Sequence, residues 1–354
     1  MVILFTNNKR PVLVTGASGF IAKHICLQLL NAGYRVRGSV RSPDRIQDVV
    51  NAIKPQLTTI HDLDRRLKFV VVDLNSDVGW DQALEGTGAV IHSASPVPLD
   101  PLPNEIEIVR PAVDGTLRVL RAASKATVKR VILTSSIVAI YFSKLDVGNQ
   151  LFNEHYWTDL HDPAVTPYIK SKTLAERAAW NFAFDNPTAI DLTVINPGFV
   201  IGPPLDQNIG ASIQLIRRLM YSRLPVVPNI GFAFVDVRDI AAMHVKCLSS
   251  PASIGMRILG AARFCWLVEI VGLLEKLYPR KVAIWTAPDW FARCLGFVDS
   301  SVSSILPRLG RSHPIDNSRA TATLGIQFID VKESVASTVN SLLAGKPSRA
   351  RRWE

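Results

Sequence analysis

The chain has 354 residues, 48% of them apolar and 20% charged, which is ordinary for a soluble globular protein. Its length suits one large α/β domain, alone or with a smaller lobe, and no apolar run is long enough to span a membrane. The formal charge of +10 comes partly from the tail "KPSRARRWE" and is otherwise dispersed, without the basic, aromatic-interleaved stripe of a nucleic-acid binder.

Only "VILF" separates Met1 from polar "TNNKR", too short for the core of a signal peptide. The cysteines Cys26, Cys247, Cys265 and Cys294 are scattered and form no CxxC pair. A cytoplasmic chain with reduced thiols and no metal site is therefore expected.

In chain order, "PVLVTG" reads as a buried strand. "FIAKHICLQLLNAG" follows as a helix with Ile21, Ile25 and Leu29 on one face and a stop at Gly33. "YRVRGSV", "KFVVVDL", "GAVIHSAS" and "RVILTSS" are four further strands, the last preceded by the helical segment "VDGTLRVLRAASKA". A helix over "TPYIKSKTLAERAAW" leads into a sixth strand, "DLTVINPG". Continuous apolar strands separated by helices predict a doubly wound, Rossmann-type parallel sheet covered on both faces.

Beyond Pro197 the pattern loosens and proline and glycine become dense. Residues 10–196 with 233–249 are expected to form the dinucleotide-binding domain, "FAFVDVRDIAAMHVKCL" returning as a strand and helix to the main body. Residues 197–232 with 250–315 are expected to form a substrate-binding lobe. Residues 316–345 would pack back, and 346–354 form the basic tail.

"TGASGFIA" spaces Gly16, Gly19 and Ala22 as G-x-x-G-x-x-A between a strand and a helix. The glycines permit a tight turn and a close approach of pyrophosphate, and the helix start offers unpaired N–H groups. Ser18, Phe20 and Ile21 belong to the same turn. The second strand ends in "RVRGSVRSPDR", offering Arg37, Arg41 and Arg45, with no carboxylate before Asp44. An arginine there suits the 2′-phosphate of NADP(H), while Asp44 keeps NAD(H) possible. Asp73 and Leu74 follow the third strand, where an adenine ring would lie; Asp73 reads equally as a turn residue. Ser93, Ala94 and Ser95 leave room for a ligand at the end of the fourth strand, and His92 reads as a core histidine.

Tyr168 alone among six tyrosines has a lysine, Lys172, four residues on. The spacing puts both on one helix face. An ammonium beside a phenol is expected to lower the phenol pKa from about 10 and fit it as a general acid toward a carbonyl oxygen. Thr134, Ser135 and Ser136 end the fifth strand, at the edge where open parallel sheets bind ligands. A serine hydroxyl there can hydrogen-bond a substrate carbonyl.

With these motifs in this order, the chain resembles the extended short-chain dehydrogenase/reductases, within the NAD-dependent epimerase/dehydratase superfamily, in their dihydroflavonol-4-reductase-like branch. "VTGASGFIA", "VRGSVRSP", "HSASP", "TSS", "YIKSKTLAE", "NPGFVIGP" and "FVDVRDIAAMHV" carry the resemblance from about Pro11 to Leu248. "APDWFARCL" and "HPIDNSRATATLGI" support it more weakly to about residue 345. It implies that Ser136 orients the carbonyl, Tyr168 donates the proton, and Lys172 binds the nicotinamide ribose. Pro197, Gly198 and Val200 would run beside the nicotinamide. The chain departs from the flavonoid reductases at Tyr141, where an asparagine is expected, so a smaller or more apolar aldehyde or ketone is the expected substrate. Tyr141, Phe142, Phe199, Met220, Tyr221 and Phe232 are candidate pocket residues, with core or lobe packing as the competing reading. An epimerase or dehydratase, a hydroxysteroid-type dehydrogenase, or a non-catalytic redox sensor remain alternatives. Monomer and homodimer are both compatible with the sequence.

Overall fold

The computed structural model describes residues 10–95, 105–142, 151–221, 226–277, 285–286, 288 and 306–344. Cys294, most of "APDWFARCL" and the basic tail lie outside them.

The first half builds β1 (Val12–Thr15), α1 (Phe20–Asn31), β2 (Val36–Val40), α2 (Asp44–Ile53), α3 (Leu63–Arg66) and β3 (Leu67–Val71). These are followed by α4 (Trp80–Leu84), β4 (Ala89–His92), α5 (Glu105–Lys125), β5 (Arg130–Thr134), α6 (Pro167–Asp185) and β6 (Asp191–Pro197). The second half adds β7 (Phe199–Ile201), α7 (Ala211–Tyr221), β8 (Val226–Val227), β9 (Gly231–Asp236) and α8 (Val237–Ser249). Then come β10 (Arg257–Gly260), β11 (Arg263–Trp266), α9 (Leu267–Leu277), β12 (Trp285–Thr286), α10 (Ser318–Leu324) and α11 (Val331–Ala344).

Seven strands form one parallel sheet in the order β10-β6-β5-β4-β1-β2-β3. The period-two alternation of strand side chains sends neighbouring residues to opposite faces. Val12 and Val14 of β1 and Ala89 and Ile91 of β4 pack with Ile25 and Leu29 of α1 and Ile240 and Met243 of α8. Leu13 and Val90 point the other way, into a layer with Trp80, Val119, Leu120 and Ala179. Each of the Val, Leu, Ile and Met side chains among them, removed from water, contributes roughly 1.5–3 kcal/mol. Both faces are therefore covered, and the carboxyl edge of the sheet is left for a ligand.

Two placements differ from the sequence expectation. Arg257–Gly260, expected in the smaller lobe, is the edge strand β10 of the large sheet. Its first residue is a charged side chain buried inside the fold, tolerated because Glu176 neutralises it; a charged, four-residue strand gives little local signal. The strand of "FAFVDVRDIAAMHVKCL" is β9, which joins β7 and β11 in a separate three-stranded sheet, while α8 does pack against α1 in the main body. β8 and β12 pair as a further two-stranded sheet. α11 closes the apolar cluster behind the three-stranded sheet through Val331, Val335 and Val339. No helix among the described residues is long and apolar enough to cross a membrane.

Candidate active site

The sheet order reverses between β1 and β4, and in open α/β sheets ligands bind at such a point, outside the carboxyl ends of the strands. Here Thr15 and His92 are register partners, and the Thr15 hydroxyl meets His92 Nδ1 at 2.8 Å. The same hydroxyl accepts a hydrogen bond from the Ala94 N–H at 3.0 Å, fixing the floor of the crevice. Burial lowers the His92 pKa to about 3, so the imidazole is a neutral, satisfied core group, in line with its sequence reading.

Gly16 has φ +65°, and a Cβ there would lie 3.0 Å from Ala94 Cα. The turn thus needs glycine both for its left-handed backbone and for the close approach of the next strand. The Ser39 hydroxyl of β2 accepts from the Gly16 N–H at 3.1 Å and so steadies the turn. Gly19 is the N-cap of α1 and supplies no side-chain cap, which leaves the helix start to receive an anion. Asn208 Nδ2 donates to the Ser18 carbonyl at 3.1 Å, and Phe20 stands edge-on to His24 at 5.7 Å. This cradle fits a dinucleotide pyrophosphate.

Arg41 is exposed immediately after β2 and has no partner among the described residues. The other two arginines are occupied: Arg37 donates to the Ala83 and Glu85 carbonyls at the end of α4, and Arg45 pairs with Asp44 and Asp48. Asp73 accepts from the Asn75 N–H at 2.8 Å, a turn contact. Leu74 is buried against Gly115.

α6 begins where Thr166 caps it, its hydroxyl accepting from the Ile169 N–H, with Pro167 preset for the first turn. That start places Tyr168, Lys172 and Glu176 along one face of the helix. Lys172 lines a small cleft with Ala94, Ser95, Thr134, Ser135 and Glu176. Ser136 caps the short 3₁₀ turn Ile137–Ala139, and its hydroxyl is near enough to the Tyr168 phenol to act on its pKa. Tyr168 is 39% exposed over its whole surface, while its hydroxyl end sits in the buried crevice.

The electrostatics correct one sequence expectation. The Tyr168 pKa is raised, because burial outweighs the opposing effect of the Ser136 hydroxyl, and Lys172 exerts no lowering effect on it. Lys172 is itself pushed down to about 8 by burial. Without a counter-charge, both groups shift toward their neutral forms.

Sequence reasoning missed the polar network beneath this pair. Glu176, 1% exposed, takes Arg257 Nε at 2.6 Å, Asn196 Nδ2 at 2.7 Å and the Ser135 hydroxyl. Asn196 also donates to the Ser136 carbonyl at 3.1 Å. The network fixes the end of β5 from below, and the i+4 spacing of Glu176 from Lys172 was its only signal in the sequence. From the α8 side, His244 Nε2 meets the Thr134 hydroxyl at 2.7 Å.

Pro197 ends β6 and Gly198 follows it, where a Cβ would sit 2.2 Å from the Ala233 carbonyl oxygen, so only glycine fits. Val200 is buried at 7% exposure. Of the candidate pocket residues, Tyr141, Phe142 and Met220 are buried at 5%, 1% and 2% exposure. Tyr141 is stacked on His313 at 4.7 Å rather than lining open space. Phe199 and Phe232 are half-buried and pack on each other at 4.6 Å, and Tyr221 is exposed.

The parallel sheet, the glycine turn and the serine–tyrosine–lysine set at its carboxyl edge define a nicotinamide-dinucleotide enzyme of the extended short-chain dehydrogenase/reductase type, an oxidoreductase. The sequence pattern of the NAD dependent epimerase/dehydratase family matches residues 12–258. The chain belongs to that family, in its dihydroflavonol reductase-like branch. It is 34% identical to cinnamoyl-CoA reductase 1 of Arabidopsis thaliana over 340 residues, 94% of this chain and 89% of the relative. It is 29% identical to the NADPH-dependent methylglyoxal reductase GRE2 of Saccharomyces cerevisiae, over 94% of this chain and 98% of that one. The solved structure of yeast methylglyoxal/isovaleraldehyde reductase Gre2 complexed with NADPH superposes with a TM-score of 0.77 at 26% identity, covering 94% of this chain and 98% of that chain.

Proposed function

We propose that this chain reduces the carbonyl of a small apolar or aromatic aldehyde or ketone to the alcohol, reversibly, with NADPH. The observation that carries the reading is the convergence of the Ser136 hydroxyl, the Tyr168 phenol and Lys172 at the carboxyl edge of β4 and β5.

The nicotinamide, when bound, supplies the hydride. The protein's part is to hold the oxygen and deliver a proton to it. The Ser136 hydroxyl, fixed through its own backbone carbonyl by Asn196, hydrogen-bonds the substrate oxygen. The Tyr168 phenol, its pKa raised by burial, remains protonated at neutral pH and donates its proton as negative charge develops on that oxygen. Lys172, charged below a pKa of about 8, would hydrogen-bond the nicotinamide ribose. Pro197, Gly198 and Val200 would border the nicotinamide, with Gly16, Ser18, Gly19, Phe20 and Ile21 at the pyrophosphate. Asp73, Leu74, Ser93, Ala94 and Ser95 would border the adenosine and ribose portions. The free guanidinium of Arg41 supports NADPH over NADH, as do relatives named for NADPH.

The test is cofactor oxidation across aromatic aldehydes, α-keto esters, dihydroflavonols and steroid ketones, run with NADPH and with NADH. NADPH-dependent turnover of at least one class is expected. Tight copurifying NAD with no net oxidation would instead identify an epimerase. NADPH binding without turnover of any carbonyl would favour a redox sensor.

A further inference from the structure

Buried cations in this fold are almost all paired. Lys23 is bound to Asp206, Arg257 to Glu176, and Arg130 to the Cys247 carbonyl at 2.6 Å. Among the described residues, two cations that are not exposed lack any hydrogen-bond or carboxylate partner: Lys172 and Arg308. The proposed reaction uses Lys172. It gives Arg308 nothing to do.

Arg308 ends a 3₁₀ turn, Leu306–Arg308. Its guanidinium lies 5.0 Å from the ring centre of Phe232 and 6.0 Å from that of Phe142. Phe142 is six residues beyond Ser136, on the segment leaving β5. Phe232 is on β9, against Phe199, the residue after the Pro197–Gly198 turn. Arg308 therefore bridges the two walls that leave the catalytic hydroxyl and the proposed nicotinamide border. Nearby, the Tyr141 hydroxyl is buried and makes no well-formed hydrogen bond, the Ala233 backbone being the polar group alongside it. His313, stacked on Tyr141, is held neutral by burial and by Arg308 and Arg311, its pKa lowered to about 4. Arg311 is already paired with Asp162 at 3.1 Å. No anion within the described residues answers Arg308. Burial accordingly lowers its pKa, opposed by Tyr141.

Arg308 is partly buried beside two aromatic rings and has no acceptor among the described residues, which leaves its fork available to an anionic ligand. We propose that Arg308, with Phe142 and Phe232, anchors a carboxylate carried by the carbonyl substrate, so that the enzyme acts on flat oxo-acids with an apolar or aromatic body. The claim rests on the reductase reading and names its substrate class. The planar fork of arginine matches a carboxylate through two parallel hydrogen bonds, and the rings exclude water from them. A phosphate group shares the anionic chemistry, but the planar fork beside apolar rings suits a carboxylate on an apolar body better.

The experiment uses the full chain saturated with NADP⁺, titrated calorimetrically with benzoate, benzamide and coenzyme A, in wild type and in Arg308→Met. Benzoate is expected to bind at least about ten-fold tighter than benzamide to the wild type, and Arg308→Met to abolish that preference. Arg308→Lys, which keeps charge but not the fork, should retain part of it and serves if the methionine variant fails to fold. In turnover, the kcat/KM ratio for phenylglyoxylate over its methyl ester should fall about 10–100-fold in Arg308→Met. Equal binding of benzoate and benzamide by the wild type, or a preference that survives in both variants, overturns the anchor. Coenzyme A binding that is lost in Arg308→Met while benzoate shows no preference assigns the site to phosphate and overturns it too. An Arg308-dependent benzoate preference with no turnover of any carbonyl upholds the anchor and refutes the reductase reading. Turnover without any acid preference does the reverse.

Discussion

Replacing Glu176 with alanine probes the buried network that supports the proposed catalytic serine. The carboxylate is fully buried and holds Arg257 Nε at 2.6 Å and Asn196 Nδ2 at 2.7 Å, besides the Ser135 hydroxyl. Arg257 keeps its contacts to the Glu154 and Tyr156 carbonyls and its place 3.8 Å over Trp157, so it stays buried when its counter-charge is gone. An uncompensated buried charge costs about 3–5 kcal/mol, a large part of the roughly 5–15 kcal/mol that stabilises a folded domain. Glu176→Gln keeps the volume and one acceptor and should cost less. In Glu176→Ala/Arg257→Met both charges are removed, and the pair should show a favourable coupling of at least about 1 kcal/mol relative to the sum of the single variants. Urea unfolding of the four proteins measures this directly. A Glu176→Ala variant within about 1 kcal/mol of wild type, or strictly additive losses, would refute the reasoning.

Three further outcomes follow from the same structure. Arg41→Ala should raise the KM for NADPH about 10–100-fold and leave that for NADH nearly constant; an unchanged NADPH-to-NADH ratio in steady-state kinetics removes Arg41 from the cofactor site. Gly16→Ala must adopt a left-handed backbone, at roughly 1–2 kcal/mol, and push its Cβ onto Ala94. Its NADPH Kd, measured by fluorescence titration, should rise about ten-fold or more, and an unaltered Kd contradicts the assignment of the turn. Burial lowers the pKa of His24, His244 and His313 to about 4 and of His92 to about 3, against about 6.5 in the unfolded chain. The unfolded chain therefore takes up protons first, so the stability present above pH 6.5 is lost as pH falls toward the folded values. Each histidine contributes a slope of up to about 1.4 kcal/mol per pH unit in that window. His244→Gln should flatten the pH dependence of the urea midpoint between pH 6.5 and 4, and an identical slope argues against a neutral buried imidazole.

The parts of the molecule legible in the sequence are those written in local spacing. Val12–Thr15, the Gly16 and Gly19 turn, and Ile25 and Leu29 on one helix face sit within one strand-turn-helix unit, where period and turn chemistry suffice. Tyr168 and Lys172 are one helical turn apart, so their shared face was visible. What was not legible depends on residues distant in the chain. Glu176 and Arg257 are 81 positions apart, and a four-residue strand opening with arginine gives no hint of the sheet edge it forms. Tyr141 aligned with a ligand-binding position but is folded inward onto His313, a contact made by a segment 172 residues away. The direction of the Tyr168 shift depends on how deeply the phenol is buried, which spacing alone does not specify. Arg308 had no local signature at all.

The central claim, that Tyr168 supplies the proton in carbonyl reduction, is tested most directly by single-turnover hydride transfer from pre-bound NADPH in wild type and Tyr168→Phe. Loss of a positioned general acid predicts a transfer rate about 10²–10⁴-fold slower with an NADPH Kd within a few-fold of wild type. Transfer at the wild-type rate by the phenylalanine variant would contradict it.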